Sequence, residues 1–284
     1  MTIHVLEQPG RAARGEPLPP QMPRQRRVAP AVAGTLAFMA GLAVASPAAQ
    51  AQTPAASAPT ANAAASSSRR PVTDTIAQRV LACTGCHGAE GRAGNEGYFP
   101  RIAGKPAGYL YNQLLNFREG RRRNARMTYL VDPLSDAYLH EMAAHFASLD
   151  LPYPPPAKTD PDPAQRARGE ALVRHGDAAR GVPACAGCHG AALMGREPAT
   201  PGLLALPRDY LIAQLGRWQI GLRRSAEPDC MAQIAKKLTP QDINALANWL
   251  PAQPVPAGAK PEPASAAPET APGVRCAGVS EIRP

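Results

Sequence analysis

The sequence predicts an all-α chain in which one small domain is used twice, and three observations lead there. A six-residue motif recurs at an offset of 102: Cys83-Thr84-Gly85-Cys86-His87-Gly88 returns as Cys185-Ala186-Gly187-Cys188-His189-Gly190. Apolar residues downstream of each copy fall at helical spacing, while period-two runs of β-branched and aromatic residues are absent. The third observation is composition. The 284 residues include 33 Pro and only 5% aromatics. Setting aside the biased stretches leaves two blocks of roughly 80–90 residues, each marginal as an apolar core by itself. Something besides side chains must fill those cores, and a large α/β enzyme is excluded.

Taken in order, the N-terminus reads as a targeting segment. Arg24, Arg26 and Arg27 precede a weakly apolar run over 28–45, and Ala49-Gln50-Ala51 is a small-x-small site with cleavage expected before Gln52. This order gives a signal peptide over 1–51 and export to the periplasm. Met22 is a more natural start than Met1, because MPRQRR then stands directly before the run. The alternative is an uncleaved membrane anchor, against which Pro30, Gly34 and Gly41 interrupt the run and keep it short of a span. Residues 52–71 read as a disordered spacer. The first domain covers 72–150, a Pro-rich linker 151–163, the second domain 164–252, and a Pro/Ala-rich tail 253–284.

Inside the two blocks the register continues. Tyr109-Leu110 with Gln113-Leu114 matches Tyr210-Leu211 with Gln214-Leu215, which predicts equivalent helices over 106–118 and 207–219. Phe117 aligns with Trp218, Gly120 with Gly221, Arg122 with Arg223 and Met127 with Met231. Ser135 and Thr239 then cap a closing helix in each block, with Pro240 at the first helical position of the second.

Cys-x-x-Cys-His is the attachment signature of c-type haem. The thiols of Cys83 and Cys86, and of Cys185 and Cys188, would add across the two vinyl groups of a haem, leaving His87 and His189 under the irons as proximal ligands. A redox dithiol has no need of the histidine, and a zinc site wants further Cys or His at matching spacing. Two covalently attached haem c groups would also be the missing core filler. The expected sixth ligands are Met127, 40 residues after His87, and Met231, 42 after His189, each on a loop before the closing helix. Met142 falls on the apolar face of that helix, and Met194 is only five residues from His189. His140 and His145 read as surface or core histidines. The carbonyls of Pro100 and Pro201 are placed to hold the second ring nitrogen of His87 and His189. Cys230 and Cys276 remain, and an even remainder in an oxidising compartment points to a disulfide. Thiolate ligation of the second haem by Cys230, or two unpaired thiols, are the alternatives.

The formal charge is +9. About +3 of it belongs to 1–51, +1 to the first block and +4 to the second. The only local concentration is Arg121-Arg122-Arg123 with Arg126, which reads as a solvated helix-end cluster or a docking patch rather than a nucleic-acid surface.

On both CxxCH-Gly motifs, the Pro100 and Pro201 positions, the Tyr-Leu-x-x-Gln-Leu helices and the two methionines, residues 72–252 resemble the class I cytochromes c, and among them the dihaem cytochrome c4 family. That resemblance implies two tandem class I cytochrome c domains, all-α and related by a pseudo-twofold axis; composition adds disordered N- and C-terminal segments. It implies a periplasmic protein, often loosely membrane-associated, that gives electrons to a terminal oxidase. Cys230, Cys276 and the long low-complexity ends depart from the plain family pattern.

His/Met coordination leaves no open iron position, so the expected function is outer-sphere electron transfer with no catalytic residue and no small-molecule substrate. The donor would be a quinol-oxidising complex or a periplasmic dehydrogenase, and the acceptor a terminal oxidase. The alternatives are a cytochrome subunit tightly bound to one dehydrogenase, or a dihaem redox enzyme, such as a thiosulfate dehydrogenase, with one labile axial ligand.

Overall fold

One helical plan is laid down twice along the chain. The computed structural model describes residues 73–93, 97–264 and 274–280. The signal peptide, the spacer and the choice of start codon lie outside the described residues.

In the first copy the Thr75 hydroxyl accepts from the Gln78 N–H and starts α1 (Ile76–Arg79), which runs through Val80 into α2 (Leu81–His87). There follow α3 (Ala107–Arg118), α4 (Ala125–Val131) and α5 (Asp136–Ser148). Helix α3 packs on α4 and α5, and α1 rests on α5. Their shared faces bury Leu110, Tyr111, Leu115, Leu139 and Phe146 in one apolar cluster. Pro106 stands immediately before α3, where its missing N–H leaves no helical bond unmade.

The second copy begins at Asp162, whose carboxylate caps α6 (Pro163–Arg174), and continues through α7 (Cys185–His189), α8 (Arg208–Gln219), α9 (Cys230–Ala235) and α10 (Pro240–Trp249). Thr239 and Asp242 form a reciprocal capping box at the start of α10, with Pro240 in the first turn. Helices α6 and α10 cross closely at Gly169, where a Cβ would lie 2.7 Å from the Ala245 carbonyl oxygen and the Trp249 Cβ. A separate apolar cluster, including Leu172, Leu211, Leu246 and Trp249, forms the second core.

Several local expectations are corrected by the structure. Met127 and Met231 sit on short helices, α4 and α9, rather than on loops. Asn124 accepts from the Met127 N–H and Asp229 from the Ala232 N–H, and these side-chain caps supply the nucleation that the brief apolar pattern does not reveal. A small antiparallel pair, β1 (Gly195–Arg196) with β2 (Thr200–Pro201), is too short to leave a period-two signature. The composition-based tail contains ordered stretches: Glu262 pairs with Arg196 and accepts from the Ala191 N–H, and residues 274–280 are held by Cys276. The Pro-rich linker is clamped as well. Buried Arg101 donates to the carbonyls of Leu151 and Pro152 and lies 4.0 Å over the Tyr153 ring.

The arginine cluster is the largest departure. Arg122 is only 8% exposed and is turned toward the second copy, not toward solvent. Its backbone forms an antiparallel bridge with Arg223. Arg123 N–H donates to the Leu222 carbonyl at 3.0 Å, and Arg224 N–H to the Arg121 carbonyl at 2.8 Å. The side chains repeat this exchange: Arg122 donates to Gln214 at 2.9 Å, and Arg223 to Gln113 at 3.3 Å. Residues 101 apart thus meet each other reciprocally, as an isologous contact requires, so the two copies are related by a local pseudo-twofold axis.

Candidate functional site

Each motif occupies a short helix whose geometry groups its reactive atoms. In α2 and α7 the two cysteines are three residues apart, and the histidine follows the first by four, so all three project from neighbouring positions on one side. None of Cys83, Cys86, Cys185 and Cys188 is taken up in a disulfide. Both helices end at a glycine with positive φ, 76° at Gly88 and 85° at Gly190. At Gly190 a Cβ would lie 2.9 Å from the Glu262 carboxylate and 3.0 Å from the Gly195 carbonyl oxygen, so the motif's final glycine is required sterically as well.

The histidines are oriented identically. His87 Nδ1 lies 2.9 Å from the Pro100 carbonyl oxygen and His189 Nδ1 lies 2.7 Å from that of Pro201. A carbonyl only accepts, so each Nδ1 carries the proton, and the Nε2 lone pair of the neutral ring is left to bind a metal. Burial depresses the pKa of both imidazoles and favours that neutral form. The Phe99 ring stands edge-on to His87 at 6.2 Å.

A cavity of about 800 Å³ runs through both copies. Its walls carry the four thiols, both histidines, Met127 and Met231. Met142 reaches the same wall from within the first apolar cluster. Met194 is buried in the second cluster and does not line the cavity, and neither do His140 and His145. Cys230 and Cys276 are joined as a disulfide beside Met231, and the segment after Cys276 crosses to the first copy. There Asn112 donates to the Gly278 carbonyl and accepts from the Ser280 N–H, both at 2.9 Å.

The polar lining of the cavity fits a haem. The Trp218 indole N–H is buried there without an acceptor. Arg122 and Arg223 are buried in the same wall, and the acceptors they reach are the neutral Gln113, Gln214 and Tyr210. A large apolar group with carboxylate substituents supplies what these donors and the apolar walls lack. The glutamine and tyrosine of the Tyr-Leu-x-x-Gln-Leu helices were readable from sequence only as an apolar stripe. Their role as acceptors for the arginines of the other copy depends on the twofold relation, which no local pattern carries.

Paired CxxCH helices, each with a carbonyl-held histidine facing a shared apolar cavity, define the class of dihaem c-type cytochromes. No family model matches the chain, but individual relatives do. The thiosulfate dehydrogenase electron acceptor of Thiomonas intermedia is 36% identical over 178 residues, which covers 62% of this chain and 80% of that protein. Cytochrome c4 of Pseudomonas aeruginosa is 35% identical over 174 residues, covering 61% and 84% respectively. The crystal structure of reduced recombinant cytochrome c4 from Pseudomonas stutzeri superposes with a TM-score of 0.55 at 32% identity, covering 62% of this chain and 96% of that one. The chain belongs to the cytochrome c4 family, and it is a dihaem electron-transfer cytochrome rather than a catalytic enzyme.

Proposed function

We propose that the chain is a periplasmic carrier whose two haem domains, over 72–150 and 164–252, pass single electrons from a dehydrogenase or quinol-oxidising complex to a terminal oxidase. Cys83 and Cys86 would hold one haem covalently, and Cys185 and Cys188 the other. His87 with Met127, and His189 with Met231, would close the axial positions. Each bound haem supplies a one-electron iron couple. The protein's part is to fix that couple and to keep other ligands out. Pro100 and Pro201 lock the ring orientation of the histidines, and the carbonyl hydrogen bond raises the basicity of each Nε2. A thioether on the opposite side favours the reduced state relative to a second imidazole. The capped helices α4 and α9 hold the methionines in the cavity wall, and with both ligated no position would be left for a small molecule.

The observation that carries this reading is the presence, in each copy, of a carbonyl-oriented histidine and a methionine lining one cavity. Visible spectra of the haem-loaded protein, oxidised and reduced, test it. Two low-spin haems with a methionine-sulfur band and no change under carbon monoxide are expected. A haem that takes carbon monoxide would overturn the closed His/Met assignment.

A second reading is a cytochrome subunit bound to one dehydrogenase. It is favoured by the likeness to proteins named as electron acceptors of thiosulfate dehydrogenase. Co-purification of the tagged full chain with a catalytic subunit at moderate salt would separate it from a freely diffusing carrier.

A further inference from the structure

Lys105 breaks the internal symmetry of the chain. The register that aligns Pro100 with Pro201 and Pro106 with Pro207 places Lys105 opposite Leu206, so a cation stands where the second copy has a hydrocarbon. The lysine is not a surface residue: it is 4% exposed and lines the cavity. Its Nζ donates to the Gly202 carbonyl oxygen at 3.1 Å, across the junction of the copies. An ammonium has three donors, and among the described residues no carboxylate lies within ion-pair distance of this one. Gly202 directly follows Pro201, whose own carbonyl holds His189 Nδ1. The ammonium therefore stands one peptide unit from the proximal hydrogen bond of the second copy, and its field reaches the buried His189 ring.

The corresponding cation for His87 is Arg122, which belongs to that histidine's own copy. The second site thus feels a positive charge from the neighbouring copy, whereas the first feels one from its own. Burial, with the Arg101 guanidinium close by, pushes Lys105 down to about 8, so at pH 6 it holds its proton.

We infer that Lys105 sets the electron affinity of the second haem from the first domain, by a buried positive charge fixed at Gly202 behind the His189 ligand. Adding an electron lowers the charge of the haem iron, so a nearby fixed cation stabilises the reduced form, and most strongly where water cannot screen it. The effect is carried by charge, not by the hydrogen bond that docks the two copies. Because the lysine and the haem it acts on belong to different copies, any motion at their junction would alter that haem's potential while leaving its own ligands in place. This inference rests on the His/Met haem reading of the cavity.

The test is a spectroelectrochemical titration of the haem-loaded protein at pH 6. Met231→His serves as a background that lowers and so labels the second haem's redox step, because imidazole favours the reduced state less than a thioether does. In that background Lys105→Gln, which keeps a donor for Gly202 but no charge, is expected to lower the reduced-to-oxidised ratio of the labelled haem about tenfold at fixed ambient potential, ~59 mV for a one-electron couple. Lys105→Met should do the same, and Lys105→Arg should restore the step. An unshifted step in Lys105→Gln, an equal shift of both haems, or a shift confined to the unlabelled haem would overturn the inference. A missing second low-spin haem in the unmutated protein would instead overturn the haem reading itself.

Discussion

Arg122 and Arg223 are each other's counterparts in the duplicated sequence, and in the folded chain they bridge each other backbone to backbone. Each also reaches the glutamine that the other copy contributes: Arg122 donates to Gln214 and Arg223 to Gln113. Arg122 additionally donates to the Tyr210 hydroxyl at 3.0 Å. Duplication alone would give two independent beads on a linker. These reciprocal contacts, with Lys105 and the Cys276 segment, join them into a paired unit whose cavities meet.

Arg122→Met is therefore expected to uncouple the copies. It leaves the buried Tyr210 hydroxyl without its arginine donor, and Gln113 and Gln214 with Arg223 alone, a loss of about 2 kcal/mol. Calorimetry of the haem-loaded protein should show its unfolding transition broaden or split into two. A single transition at the original temperature would mean that the linker and the disulfide-held segment 274–280 suffice to couple the copies.

The disulfide offers a second handle. Cys230 and Cys276 are 46 residues apart, and closing a loop of that length removes about 4 kcal/mol of unfolded-state entropy in the chain-entropy account. Cys230→Ser combined with Cys276→Ser should lower the denaturant midpoint and release residues 274–280 from Asn112. Guanidinium unfolding followed by circular dichroism reads the first effect. Faster hydrogen exchange at the Ser280 and Ala277 amides, which donate to Asn112 and Pro228, reads the second.

Met231→Ala should admit carbon monoxide to the second haem and leave the first closed, and Met127→Ala should do the converse. Each variant's reduced spectrum is expected to shift for one haem of the two. A spectrum of Met231→Ala that does not respond to carbon monoxide would remove that methionine from the axial position.

Much of the site was legible because it is carried by local spacing. Cys83, Cys86 and His87 lie on one helical turn, and Pro100 is 13 residues further, so neither relation needs knowledge of the fold. The caps at Ser135 and Thr239 were legible for the same reason, each joining a hydroxyl to an amide three residues on. What escaped was long-range. Arg122 looked like one member of a solvated basic run because its partners, Tyr210 and Gln214, lie 88 and 92 residues away. Lys105 carries no local signal, since its acceptor is a backbone carbonyl 97 residues on. The order in the tail escaped because composition reports what most residues prefer, whereas Glu262 and Cys276 anchor their segments through a few long-range contacts.

Asp242 gives a prediction with a definite sign. The carboxylate is nearly inaccessible and caps α10. Burial alone would raise its pKa, but hydrogen bonds from Arg180, the Thr239 backbone and Arg168 outweigh that, and it is held well below the usual carboxylate range. A carboxyl depressed on folding contributes stability that is fully present above its unfolded value, near 4, and is lost as the pH falls through the folded value. Asp242→Asn should therefore destabilise the second copy by about 2 kcal/mol at pH 7, discounted for the partial exposure of both arginines. The gap between variant and parent should stay constant down to about pH 4 and then close as the parent's carboxylate takes up its proton. Denaturant unfolding at pH 7, 5 and 3 measures this. A gap of the same size at all three values would show that the loss comes from the cap geometry and not from the charge on Asp242.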